Sequence, residues 1–453
     1  MKILTDKYGI DEFIDSHKNE MISFLEDLIR IPSVRGKQKP GMPYGEEIDR
    51  ALRFTGDTAE KMGFKTENFD NRVKLIRFGS GDRKLGILCH LDVVEVNAEK
   101  WETLPFEPVI KDGMIYGRGV LDNKGPSAAA LYALYAVKQL NTPLKKEVCL
   151  YMGADEEKGF SDFKEYLKSN SFPEFVFVPD ACFPVGVAER GLVRLSFTGG
   201  YASDKIICAH SGEVINVIPD TATAKFRNVS ASEVDAELSE IGNIKYETVT
   251  DGKVTTVTIY GKSAHAAGPW NGTNAATALL KLLAAFDEKD GIFSRLTKLL
   301  GHNLLCGEGF GIAPEKTTLS LTVFDYSNEI LNLKTDSRVA VTESSKEILE
   351  KITSQMPLDA EILCADEPHN VPKDFELVRI LQKIYTEQTG RNEDGYSTDG
   401  ITYAHLKSDA VIFGGVMYDD GSCNAHGENE CYNLETLVTA AKMFAKAIVE
   451  ICG

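Results

Sequence analysis

The chain has 453 residues and 43% hydrophobic content, enough for one large core and a second, so two or three domains are expected. Its formal net charge of −18 lacks the basic footprint of a nucleic-acid groove, and acidic charge spread along a chain mainly favours solubility. No run approaches the ~18 apolar residues that span a bilayer. Residues 1–7 lack the apolar core of a signal peptide, so a cytoplasmic protein with neither nucleic-acid nor membrane partners is expected.

Residues 13–31 carry apolar side chains at helical spacing and predict a helix. Residues 84–89 read as a buried strand, with His90 and Asp92 following two apart. Such positions share a face, so His90 can present a ring nitrogen to a metal ion while Asp92 orients a neighbouring group. Residues 117–125 form a glycine-rich turn holding Asp122, before a helix expected to open at Pro126; Asp122 could equally cap that helix. Lys124 precedes Gly125, the reverse of phosphate-loop order, and Ser127 has no adjacent histidine to make it a nucleophile.

Residues 148–153 predict a second apolar strand, which delivers Asp155, Glu156 and Glu157. Residues 175–178 repeat the arrangement and end in Pro179 and Asp180, where Asp180 could also serve the turn. From residue 189 the pattern changes: residues 192–197 alternate, residues 254–260 are rich in β-branched side chains, and residues 274–283 form a strong helix between strands. From residue 375 helix, strand and helix return, and the apolar stretch 410–413 precedes a loop holding His426, which alone would read as an exposed histidine. Four strand ends therefore deliver acids or histidines, and strand carboxyl ends are where sites assemble in α/β sheets. The nine cysteines are scattered without a CxxC pair, several in apolar runs such as Cys89 and Cys149, and read as reduced core residues.

The segments HLDVV (90–94), GRGVLDNKGP (117–126), EEKG (156–159), PDA (179–181) and AHGENE (425–430) resemble the M20 family of co-catalytic zinc peptidases, most closely its dipeptidase V (Xaa-His dipeptidase) branch, over essentially the whole chain. The resemblance implies an α/β fold: a catalytic domain with a mixed sheet flanked by helices, in segments 1–188 and 375–453, interrupted by an inserted α+β lid domain at 189–374. It implies two divalent metal ions, zinc foremost and manganese as the other candidate. His90 and Asp180 would hold one and Glu157 and His426 the other, with Asp122 and a water between them. Glu156 would be the general base, and Asp92 would accept the remaining N–H of His90.

In the lid, the resemblance makes His265 the donor to the oxyanion and Asn216 a substrate contact. Dipeptidases of this type usually carry an Arg after a Leu-Asn-hydrophobe triplet, to grip the substrate carboxylate. This chain has Lys334 there, which keeps the charge without the guanidinium fork, and Arg338 four residues on. Residues 397–403, with Gly400, resemble the turn that caps the same carboxylate through backbone N–H groups. The implied activity is hydrolysis of a small peptide, a dipeptide. The lid is long enough to supply internally the histidine that dimeric branches take from a partner, so a monomer is expected to be active. The alternatives are an aminoacylase or deacylase acting on N-acyl amino acids, and a catalytically silent peptide-binding relative, against which the retained Glu156 argues.

Overall fold

The apolar run from Leu85 becomes the strand Arg83–His90 in the computed structural model of the protein, which describes residues 6, 8–242, 244–288, 291–301, 317–398 and 400–453. This strand pairs in parallel with Glu147–Gly153 on one side and Phe175–Val178 on the other, and Val411–Ile412 lies parallel to Phe175–Val178. Strands covered on both faces read as continuous apolar runs, and every residue of Glu147–Gly153 and Phe175–Val178 is buried. The antiparallel strands Lys65–Phe69 and Val73–Phe78 extend one edge, and Gly186–Glu189 adds antiparallel to Val411–Ile412, so the sheet is mixed.

The helices Lys18–Ile29, Lys124–Gln139 and Leu434–Cys452 contribute Leu25, Leu28, Leu131, Leu134 and Phe444 to one core with Ile87, Phe177 and Phe413. The second face is covered by Phe163, Tyr166 and Tyr403 against Leu88, Tyr151 and Val176. The helix expected over 13–31 is broken: Ile10–Ser16 and Lys18–Ile29 flank His17, whose backbone leaves helical geometry at φ −103°, ψ 9°. Its Nδ1 donates to the Phe13 carbonyl at 2.8 Å, a local bond that competes with the helical ladder. The helix after Asp122 opens at Lys124 instead of Pro126, since a proline is tolerated within a first turn.

Two compact units result: the described residues up to Ala188 with Asn370–Ser397 and Thr402–Gly453, and Glu189–His369 with residues 398–401. Residues 370–374, which the family resemblance places in the lid, pack with the first unit, because Val371 is buried in its core and donates its N–H to the Val187 carbonyl at 2.8 Å. Thr398 belongs to the second unit, where its carbonyl accepts the Arg190 N–H at 3.2 Å.

The main sheet of the second unit is antiparallel, its eight described strands in the order Lys245–Asp251, Val254–Tyr260, Thr221–Arg227, Ile206–Ser211, Ser320–Ser327, Ile330–Val339, Gly191–Gly200 and Asp359–Asp366. Its strands are one-sided: Thr255, Val257 and Ile259 are buried while their neighbours are half-exposed. The buried face packs against helices including Ala275–Phe286, which is capped by Asn274 accepting the N–H groups of Ala276 and Thr277. No helix among the described residues is long and apolar enough to cross a membrane.

Candidate metal centre

Parallel pairing brings the carboxyl ends of three adjacent strands together, and with them His90, the 154–157 turn and Asp180. His90 is fully buried; its Nε2 lies 2.9 Å from Asp122 Oδ1 and 3.5 Å from Asp180 Oδ2. On the far side of Asp122, His426 Nε2 lies 2.9 Å from Asp122 Oδ2 and 3.0 Å from Glu157 Oε2. Asp122 thus turns one oxygen to each imidazole. Two groups of donor atoms, His90–Asp122–Asp180 and Asp122–Glu157–His426, each fall within 4.8 Å and share Asp122. The turn carrying Asp122 is pressed against the helix that follows it: a Cβ on Gly125 would stand 2.1 Å from the Val120 carbonyl oxygen, so only glycine fits there.

Neighbouring side chains hold these groups in place. Buried Glu430 accepts the N–H groups of Gly119 at 3.0 Å, Leu121 at 2.8 Å and Asp122 at 3.2 Å, and pairs with buried Arg118 at 2.5 Å. Asn123 accepts the His90 N–H at 3.3 Å and donates to Asp180 Oδ1 at 2.8 Å, tying two strand ends together. Neither Glu430 nor Asn123 was assigned a role from sequence, although both lie within the family-like segments.

Asp92 meets the His90 ring with two groups and does more besides. His90 Nδ1 donates to the Asp92 main-chain carbonyl at 2.9 Å, and the carboxylate stands at 3.4 Å. That carboxylate also accepts the N–H of Glu156 at 3.2 Å and of Glu157 at 3.1 Å. Asp162 does the same one step earlier, taking the N–H groups of Ala154 at 2.6 Å and Asp155 at 3.0 Å. Four successive amides of the turn are therefore gripped by two carboxylates, which fixes where Glu156 and Glu157 project.

The electrostatics follow from crowding acids around two imidazoles. Burial, and after it the charge of Asp180, holds the Glu156 carboxyl well above the ordinary carboxylate range. Burial and the Asp122 charge push Glu157 up to about 7. Burial works to raise Asp122 too, but its hydrogen bonds with His426 and His90 outweigh it and hold the carboxyl low. Hydrogen bonds to Asp122 and Glu157 raise His426 to about 11. Burial favours neutral His90, yet the Asp180 charge and the side-chain bonds to Asp122, Asp180 and Asp92 raise it well above its usual value. In the metal-free protein the surrounding carboxylates therefore favour the protonated form of both imidazoles. The donor set fits two divalent cations in place of those protons: each group offers an imidazole nitrogen and carboxylate oxygens, and Asp122 has one oxygen for each.

In the second unit, His265 pairs with Val217, and the Ala266 N–H donates to the Asn216 carbonyl at 2.8 Å, so the expected oxyanion donor and the expected substrate contact are neighbours. His265 Nδ1 accepts the Ala267 N–H at 3.2 Å, which leaves the proton of the neutral ring on Nε2. Lys334 and Arg338 share one strand, Ile330–Val339. Arg338 is buried with its Nε on Asp336 at 2.9 Å, whereas Lys334 is half-buried. Gly400 is exposed and donates its N–H to Thr398 Oγ1 at 3.2 Å; Asp399 of the same turn lies outside the described residues.

A cavity of about 410 Å³ opens beside Asp122 and Asp180, with Ala181, Cys182, Val416 and Met417 in its wall.

Residues 86–450 match the model of peptidase family M20/M25/M40. A Bacillus subtilis (strain 168) protein named "Putative dipeptidase YtjP" is 31% identical over 96% of this chain and 97% of its own length. A Staphylococcus aureus (strain USA300) protein, also named a "Putative dipeptidase", is 29% identical over 97% of this chain and 99% of its own length. Among solved structures, human carnosine dipeptidase 1 shares the fold with a TM-score of 0.62 at 16% identity, covering 98% of each chain. The Saccharomyces cerevisiae di-peptidase Dug1p follows with 0.60 at 16% identity, again covering 98% of each chain. With its family model spanning most of the sequence and its relatives aligned end to end, this chain belongs to peptidase family M20/M25/M40.

Proposed function

We propose that this peptidase hydrolyses dipeptides with two divalent cations, one held by His90 and Asp180, the other by Glu157 and His426, and both by Asp122. The observation that carries the reading is the pair of donor groups joined through one carboxylate, with the buried Glu156 carboxyl feeling the charges of Asp180, His90, Glu157 and Asp122. Zinc suits the mixed nitrogen and oxygen donors, and manganese is the second candidate. Two ions bound there would supply Lewis acidity towards the scissile carbonyl and towards water.

Glu156 takes a proton from the attacking water and hands it to the leaving amine nitrogen. A carboxyl held well above its ordinary range is suited to both halves of that transfer. His265, with its proton on Nε2, donates to the developing oxyanion. Asp92, Asn123 and Glu430 touch no reacting atom and keep the ligands and the base in register. The apolar wall of the cavity beside Asp122 takes one substrate side chain. Asn216 contacts the substrate, and Lys334, with the Gly400 turn, holds its carboxylate; Arg338 already spends its Nε on Asp336. A single chain suffices for activity.

The test is a panel of dipeptides, tripeptides and N-acyl amino acids, assayed on chelator-stripped protein reloaded with zinc or manganese. Dipeptides are expected to be cleaved far better than the rest, with activity absent before reloading. Preference for N-acyl amino acids would make the protein a deacylase, and undiminished turnover without ions would overturn the metal reading. Glu156→Gln should keep its ions and lose about 10²–10⁴-fold in kcat, while Asp122→Asn should lose ions.

A further inference from the structure

The loop that carries His426 is closed at its neck by two cysteines. Cys423 and Cys431 face each other across an antiparallel bridge, each donating its N–H to the other's carbonyl at 3.1 Å. Their sulfurs lie 3.3 Å apart. Cys423 is exposed and Cys431 is buried. Between them Asn424, His426 and Asn429 all have positive φ, of 65°, 63° and 56°, a region that L residues seldom adopt. Such a backbone persists only where its surroundings over-determine it, and the neck is the natural place for that constraint.

We propose that Cys423 and Cys431 are a thiol–disulfide modification site whose oxidation locks the His426 loop. A hydrogen-bonded antiparallel pair spaces its Cα atoms about 5.5 Å apart, inside the range a disulfide spans. Closing the sulfurs from 3.3 Å to the ~2.05 Å of a bond therefore asks for side-chain rotation and little backbone movement. The co-reactant is a low-molecular-weight disulfide such as glutathione disulfide. Cys423 gives its proton to solvent and attacks one glutathione sulfur; the glutathione S–S bond breaks and the first glutathione thiolate leaves. Cys431 then gives up its proton and attacks the Cys423 sulfur, expelling the second. The cysteine pair is oxidised by two electrons, and glutathione disulfide is reduced to two thiols that take up the two protons. Order follows from access, since only Cys423 meets solvent. The link stands independently of the metal reading; its effect on ion release rests on that reading.

The experiment incubates metal-loaded, full-length protein with glutathione disulfide, alkylates the remaining thiols and maps the peptides. An intramolecular link between Cys423 and Cys431 is expected, reversed by dithiothreitol and lost in Cys423→Ser. Recovery of both cysteines alkylated, or a glutathione adduct on Cys423 beside an alkylated Cys431, would overturn the proposal. Release of the bound ions into a chelator should be slower by about tenfold in the linked protein and unchanged by oxidant in Cys423→Ser. A mapped link with unchanged release would remove the locking role. Protein that holds no ions would fail the metal reading while leaving the peptide map to decide the disulfide.

Discussion

The Asp92 carboxylate accepts the Glu156 N–H at 3.2 Å while standing 3.4 Å from His90 Nδ1, so the residue that follows a metal-ligand candidate by two positions also holds the backbone of the proposed general base. His90 Nδ1 rests on the Asp92 main-chain carbonyl, which survives any side-chain change. Asp92→Asn puts an amide donor against an N–H of the 156–157 turn. It should lower kcat by about 10–100-fold while ion affinity stays nearly constant. Kinetics beside calorimetric titration of the ions checks the split; equal loss of both would return the Asp92 carboxylate to His90.

Glu430 governs Asp122 at one remove. Its carboxylate gathers three backbone N–H groups of the turn and neutralises buried Arg118. Glu430→Gln leaves that guanidinium without its counter-charge and should lower both Tm and ion affinity, the latter by about 10–100-fold. Chelator competition well below the melting transition measures the affinity. Cobalt substituted for the native ions should show an altered absorption spectrum, which lost stability alone would not produce.

Protons and cations compete for the same donors. Glu157, pushed to about 7, and His426, pushed to about 11, bind more protons folded than unfolded. Their contribution to the metal-free protein is complete at low pH and fades as pH rises through those values. The Tm of metal-free protein should therefore fall from about pH 4.5 to about pH 7 through Glu157 and on from about pH 6.5 towards about pH 11 through His426, and that of loaded protein should fall less. Loading near neutral pH should release protons, read by calorimetry in buffers of different ionisation enthalpy; no release would contradict the protonated imidazoles.

His265→Ala should reduce kcat by about 10²–10³-fold with ion content unchanged. His265→Gln, which restores a donor, should recover part of the loss. Mixing inactive Glu156→Gln protein with inactive His265→Ala protein should give no recovery if each chain supplies its own histidine; restored activity would show that the histidine is shared.

The parts of this architecture legible in sequence are those written locally. Continuous apolar runs ending in acids mark the parallel strands Glu147–Gly153 and Phe175–Val178, and the β-branched alternation of Val254–Tyr260 marks a one-sided strand. The ligand types are legible because chemistry restricts them. What escaped depends on distant partners: Glu430 meets Asp122 across 308 positions, and nothing beside Glu430 announces the contact. The Asp92 geometry is richer than HxD spacing shows: the spacing puts two residues on one face, but not that the His90 ring nitrogen would meet both the Asp92 main-chain oxygen and its carboxylate, or that the carboxylate would also take two turn amides. Cys423 and Cys431 escaped because an eight-residue separation has no motif; a backbone bridge makes them neighbours.

Val411–Ile412 lies beside Phe175–Val178 although the whole second unit intervenes along the chain. During synthesis His90, Asp122, Glu157 and Asp180 emerge first, and then wait while an autonomous sheet with its own core is made. His426, and Glu430 which braces Asp122, arrive only after that sheet has been made. On the proposed reading, a nascent chain lacks its second cation site until the residues up to 430 have been made, so the long closure that delays the sheet also delays hydrolysis.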